Sequence, residues 1–186
     1  WLFAVVSPDA DSAIQVCLEH CSEAHHDVPS KRMRTLWGER RFLDCTIECG
    51  GEKIPAHRAV LCAASPVFSA AFEGSMREAK EAHYAIRSCT DPRVVEAMLE
   101  FVYTGCLPEL STDKLAQLLP LAVQYNLDDL CSITADRLIT NVTPKTVRET
   151  VKVIRQFRDT ASVSWAYSSL LSILKVSDEL LSESLV

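Results

Sequence analysis

The sequence predicts an α+β fold in which a small β-sheet, formed early in the chain, is covered by a larger number of helices. Three observations carry this. Cys45, Ile47 and Cys49 alternate with Asp44, Thr46 and Glu48 and run into Gly50-Gly51, the signature of a half-buried strand entering a tight turn. Helix starts of one type recur at Ser65-Pro66, Asp91-Pro92 and Thr143-Pro144. In each, a capping side chain precedes a proline whose missing N–H costs nothing in the first turn. A hydrophobic fraction of 48% over 186 residues supplies enough apolar surface for a packed core.

The elements follow in order. Residues 9–26 carry Ala13, Ile14, Cys17, Leu18 and Cys21 at helical spacing, and residues 27–30, with Pro29, form a linker. Residues 31–38 form a helix whose apolar side is Met33, Leu36 and Trp37. After the first strand, Gly50-Gly51 turns the chain, because glycine adopts positive φ freely. The return strand, Lys53 to Ala56, contains Pro55 and so belongs at a sheet edge. His57 to Ala64 is a short helix, and Ser65-Pro66 opens the next, which buries Phe68, Ala71 and Phe72 and ends at Gly74. Tyr84-Ala85-Ile86 supplies a third strand. Val94, Val95, Met98, Leu99 and Val102 keep helical period up to Gly105. Thr112 to Tyr125 is helical, with Asn126 at its left-handed C-terminal position, and Asp128 to Ile139 follows. Thr143-Pro144 starts a helix that runs through Val147, Val151 and Ile154 to about Arg158, and residues 162–175 and 178–185 are helical as well.

The bulk properties exclude several classes of function. A net charge of −6 and a pI near 5.4 argue against nucleic-acid binding, which needs a clustered basic surface. Lys31, Arg32, Arg34, Arg40 and Arg41 are interrupted by Met33, Leu36 and Trp37, as on a solvated helix face. Eight cysteines, most at apolar positions, fit a reducing compartment without disulfides and hence a cytoplasmic or nuclear location. No stretch approaches the roughly 20 apolar residues of a membrane span. A chain that begins at Trp1 is expected to be part of a longer one.

Side-chain chemistry gives little support to catalysis. Cys17, His20, Cys21, His25 and His26 are spaced as on an amphipathic helix with buried thiols, and lack the second ligand pair of a zinc site. Cys62 and His57 have no oxyanion-hole sequence beside them, and no phosphate-cradling glycine loop occurs. Asp128 and Asp129 suit the start of a helix. No catalytic residue, metal or cofactor is therefore expected. Asp44 and Arg58 each flank an apolar run; they form either a partly buried ion pair that fixes orientation or a charged pocket at an interface.

Five motifs in order give a specific resemblance. They are Leu36-Trp37 with Arg41-Phe42-Leu43-Asp44-Cys45; Ala56-His57-Arg58-Ala59-Val60-Leu61; Ser65-Pro66-Val67-Phe68 with Phe72-Glu73; Phe101-Val102-Tyr103-Thr104-Gly105; and Ala122-Val123-Gln124-Tyr125-Asn126-Leu127 with Leu130. Residues 31–142 thereby resemble a BTB (POZ) domain, especially that of the speckle-type POZ proteins. The resemblance implies a homodimer whose interface, by position, is Met33, Leu36, Trp37 and Val60. It also implies docking of cullin-3 through a hydrophobic-x-Glu motif, here Met76-Arg77-Glu78, with Tyr125 and Asn126 extending the surface. On this basis the chain is expected to be a non-catalytic substrate adaptor of a cullin-3 ubiquitin ligase, whose substrate is an unknown protein. The alternative is a BTB oligomerisation module of a scaffold or transcription regulator that binds no cullin. Residues 143–186 loosely resemble the helical extension called the 3-box, or part of a BACK domain. Residues 1–30 do not resemble a MATH domain, and their role is not legible.

Overall fold

The computed structural model describes residues 31–75 and 77–176. The expected helix over residues 9–26, with its cysteines and histidines, and the one over 178–185 lie outside the described residues, as does Met76. The first described helix, α1, covers residues 31–39. Strands β1 (Cys45–Cys49) and β2 (Glu52–Ala56) form the hairpin, followed by α2 (Arg58–Ala64), α3 (Pro66–Glu73), α4 (Arg77–Glu81) and β3 (His83–Ala85). Helices α5 (Pro92–Thr104), α6 (Thr112–Gln124), α7 (Asp128–Thr140), α8 (Val147–Gln156) and α9 (Ser164–Val176) complete the described chain.

The sheet has the order β2-β1-β3. β1 and β2 are antiparallel, with Ile47 opposite Ile54, and β3 joins β1 in parallel with Tyr84 opposite Ile47. The hairpin register buries Cys45, Ile47 and Cys49 on one side of β1 together with Ile54 and Ala56 of β2. β2 is an edge strand, which is where Pro55 can lie without breaking a ladder. Gly50 sits at φ 58, and a Cβ there would lie 2.4 Å from the carbonyl oxygen of Thr90, so the turn needs glycine for space as well as for backbone conformation.

The core lies between this sheet and the helices. Ile47, Leu61, Phe68, Phe72, Met98, Leu99, Leu118 and Leu119 are essentially fully buried. Phe68 stacks on Tyr125 at 4.6 Å between ring centroids, and Tyr84 meets Phe68 edge-on at 5.5 Å. Aromatic pairs at these separations add to the area term. Ser65 accepts a hydrogen bond from the N–H of Phe68 and so caps α3, while its hydroxyl donates to the Tyr125 carbonyl at 2.6 Å. The cap thus also pins the end of α6. Asn126 adopts φ 53, the left-handed position read from the sequence.

Three boundaries differ from expectation, each for a local reason. The third strand is His83–Ala85 rather than 84–86, because Ile86 turns inward; its N–H still bonds the Glu48 carbonyl at 2.8 Å. Arg77 to Glu81 form a short helix, closed by an Arg77–Glu81 ion pair at 3.0 Å, with Glu78 in its first turn where the helix dipole favours it. α8 begins at Val147, because Thr143 and Pro144 form a separate turn in which the Thr143 N–H donates to the Thr146 hydroxyl at 3.0 Å.

Candidate interaction surface

Helices α1 and α2 build an apolar face that the described residues leave partly open. Met33 of α1, Ala59, Val60, Ala63 and Ala64 of α2, and Val102 of α5 line a shallow groove of about 410 Å³. Met33, Leu36 and Val60 are half-exposed, and Ala59 and Ala63 are exposed. The alanines stand at i and i+4, so they share one side of α2 and leave its backbone open to close approach. Phe42, 79% exposed, adds an apolar ring on the segment leading to β1. Trp37 departs from the expected pattern. Its ring packs within the subunit, 4.9 Å from the Tyr103 ring, with the Arg40 guanidinium 3.5 Å from its centroid. The ring is half-buried and braces α1 against Tyr103.

A hydrogen-bond network fixes the start of α2. The Tyr103 hydroxyl lies 2.8 Å from the backbone N of His57 and 2.8 Å from its Nδ1, and His57 Nε2 lies 2.6 Å from the Arg41 carbonyl. A carbonyl only accepts, so Nε2 carries a proton, and in the neutral ring Nδ1 is then the acceptor. Tyr103 therefore donates to Nδ1 while accepting from the His57 N–H, and every polar atom of this buried group is used. Burial pushes the Tyr103 phenol up to about 12, so it holds its proton.

Asp44 and Arg58 do not meet as a carboxylate–guanidinium pair. Asp44 Oδ1 accepts from the backbone N–H of Arg58 at 2.7 Å, which satisfies a free donor at the start of α2. The Arg58 guanidinium instead donates to the Phe72 carbonyl at 2.6 Å, near the end of α3. The ion-pair expectation is corrected: each charge serves a helix terminus, because the strand and helix ends offer backbone partners closer than the opposite charge.

Glu78 is half-exposed and shares an open cleft of about 310 Å³ with Arg77, His83, Glu48 and Arg87. His83 Nε2 and Glu48 Oε2 are 2.8 Å apart on its wall. Tyr125 does not belong to this surface. It is fully buried, so its side chain contacts no partner, and the expectation that it extends the docking site is corrected. Asn126 is exposed, but it sits beside the N-terminus of α3, whereas Arg77 and Glu78 follow its C-terminus. Eight residues of helix separate those ends by about 12 Å.

The side chains that might have carried chemistry have other partners. His57 is committed to Tyr103 and Arg41, and the Cys62 thiol points to the Phe68 carbonyl at 3.8 Å. Burial drives the Cys45 thiol up to about 12 and that of Cys131 to about 11, away from the thiolate a nucleophile needs. Among the described residues no cluster of three metal-ligating side chains forms, and no helix is long and apolar enough to cross a membrane. The three-stranded sheet under its helices, with an unburied apolar face, defines a protein-interaction module.

The chain belongs to the BTB/POZ domain family, whose model matches residues 33–142. It is similar to TD and POZ domain-containing protein 1 of Mus musculus, at 36% identity over 117 residues, 62% of this chain and 32% of the relative. It is similar also to TD and POZ domain-containing protein 4 of Mus musculus, at 36% over 119 residues, 63% of this chain and 32% of the relative. The chain thus spans about a third of the length of the curated relatives it matches.

The groove residues Ala59, Ala63, Ala64 and Val102 and the exposed Phe42 were not singled out as surface from the sequence. Small residues at i and i+4 on a short helix are the signal for the alanines. Phe42 carries none, since its neighbours read as the lead-in to a strand.

Proposed function

We propose that this chain is a non-catalytic adaptor that homodimerises and joins a cullin-3 ubiquitin ligase to a substrate protein in the cytoplasm or nucleus. The observation that carries the reading is the apolar α1–α2 face. Met33 and Leu36 on α1 and Val60 on α2 stay half-exposed, and the His57–Tyr103 network anchors the start of α2. A second copy related by a two-fold axis would cover it with the same residues, as self-complementary interfaces require. Dimerisation doubles the ligase and substrate contacts and so raises their effective concentration.

The cullin reading rests on the place of Met76-Arg77-Glu78, directly after the Ser65-Pro66-Val67-Phe68 helix. Arg77 and Glu78 are accessible on α4, and the apolar first member of the motif is Met76. Asn126 belongs to this surface only if the partner reaches the far end of α3. Asp44 and Arg58 act as supports for α2 and α3, not as a pocket.

The test is a titration of the purified chain with the cullin-3 N-terminal region, for wild type and for Met76→Glu with Glu78→Ala. The expected result is wild-type saturation below about 50 μM and at least about tenfold weaker binding by the double variant. Absence of wild-type binding would sink the adaptor; equal binding would sink the site. Light scattering of Leu36→Asp and Val60→Glu is expected to give monomer mass, and an unchanged dimer mass would refute the interface.

A further inference from the structure

We propose that the outer face of α8 is a docking surface for an acidic, extended segment of a partner protein. Arg148, Lys152, Arg155 and Arg158 line one open cleft of about 620 Å³, with Val151 half-buried in it. From Lys145 to Asp159 there are five cations and two anions, a net charge of +3, in a chain whose total is −6. Only two of the four cleft cations have an ion-pair partner among the described residues, Lys152 with Glu149 at 3.5 Å and Arg158 with Asp159 at 3.5 Å. Arg148 and Arg155 have none.

The stripe is a cost to the isolated helix. Arg148 and Lys152 stand at i,i+4, and Lys152 and Arg155 at i,i+3, where like charges destabilise a helix. Arg148 also lies in the first turn, against the dipole. An anionic occupant relieves all three terms at once. The exposed faces elsewhere differ: α7 presents Asp128, Asp129 and Asp136, and α5 mixes Arg93 with Glu96.

Spacing selects the form of the occupant. Arg148 and Lys152 are separated by about 6 Å along the axis and Arg148 and Arg155 by about 10 Å. In an extended strand, side chains on one face recur at about 6.6 Å, so alternate carboxylates can meet successive cations. The span is only about 15 Å of helix, too short for the long basic track that nucleic acid requires. Val151 gives the segment an apolar contact between the charges.

The test uses the whole chain and a fluorescein-labelled peptide of about twelve residues alternating Glu and Val, with Gln–Val as neutral control. Anisotropy is expected to show binding of the acidic peptide that weakens between about 0.05 M and about 0.5 M salt, and none of the neutral one. Arg148→Glu with Arg155→Glu is expected to weaken binding at least about tenfold. Lys53→Glu with Arg93→Glu changes the net charge equally and is expected to leave binding as it was. Arg148→Gln with Arg155→Gln serves if the reversal unfolds α8, and it is expected to raise thermal stability slightly while weakening binding. Equal loss in both charge-reversed pairs would overturn the site, as would binding that survives in the Gln variant. Tighter binding of a single-stranded RNA of similar length would overturn the choice of occupant.

Discussion

Replacing Tyr103 by Phe removes one oxygen and leaves a ring of the same shape, so it isolates the hydroxyl at the centre of the α2 network. The ring contacts with Trp37 at 4.9 Å and His57 at 5.6 Å are kept. Two hydrogen bonds are lost, both 2.8 Å long: one from the His57 N–H and one to His57 Nδ1. His57 is 8% exposed, so water replaces neither partner well. An orphaned buried polar group costs about 1–3 kcal/mol; for two groups on one residue at the rim of the core, about 2–3 kcal/mol in total is expected. At about 2–4 °C per kcal/mol for a chain of this size, the melting temperature falls by about 4–12 °C. Urea unfolding followed by tryptophan fluorescence should show a lower midpoint with an unchanged slope, because the surface exposed on unfolding is the same. A change within about 0.5 kcal/mol of wild type would refute the assignment of the hydroxyl as donor and acceptor at once. The same variant is expected to weaken the proposed dimer, since the bond from His57 to the Arg41 carbonyl ties the start of α2 to the segment after α1.

Tyr125→Phe is expected to behave in the opposite way. Burial pushes the Tyr125 phenol far above its usual range and Tyr84 adds to the push, yet among the described residues no hydrogen bond of proper geometry reaches its Oη. Removing the oxygen should therefore be neutral or stabilising by up to about 1 kcal/mol, and a loss above that in the same urea assay would refute the burial argument. The buried thiols predict an alkaline limit. Their folded values, about 12 for Cys45 and about 11 for Cys131, lie above the ordinary 9.0, so the folded state keeps protons that the unfolded state releases. Their contribution is complete below pH 9 and declines as pH rises through 9 toward 11–12. Urea midpoints from about pH 8 to about pH 10.5 should fall, with a shallower slope in Cys131→Ala; slopes that do not differ would refute it.

Periodicity made most of this fold legible. The alternation in Cys45–Cys49 fixed which side of β1 is buried, and the caps at Ser65 and Asp91 located the starts of α3 and α5. Thr143-Pro144 failed as a cap because Thr146, three residues on, captures the Thr143 N–H and starts the helix later. The surface was harder to read. Trp37 and Tyr125 looked like partner contacts because they lie in motif positions next to exposed residues. The Tyr125 ring turns inward to stack on Phe68, and the half-buried Trp37 ring packs at a tilt against Tyr103, an outcome of tertiary packing that no local spacing encodes. The pairing of Asp44 with Arg58 failed for a related reason. A sequence shows opposite charges, but not the unpaired backbone groups at helix ends that compete for them.

Those two charges bear on how the proposed surfaces work together. Asp44, at the start of the hairpin, holds the first N–H of α2, and Arg58, the first residue of α2, reaches the Phe72 carbonyl near the end of α3. α4 follows α3 after Gly74, Ser75 and Met76. One pair of residues therefore joins the sheet, the helix of the proposed dimer face and α3, the helix before the one that carries Arg77 and Glu78. A guanidinium suits this position because its fixed planar fork holds a carbonyl at 2.6 Å while it lies 5.7 Å from the centroid of the Phe72 ring. An ammonium on a flexible stem would lose that orientation. Were the link absent, α2 and α3 would still be joined through Ser65, but the far end of α3 would lose its tie to the start of α2. A dimeric adaptor depends on the spacing between dimer face and motif, since effective concentration falls when two sites no longer hold a fixed separation. The role of Asp44 and Arg58 is thus geometric: they tie the start of β1, the start of α2 and the end of α3 together.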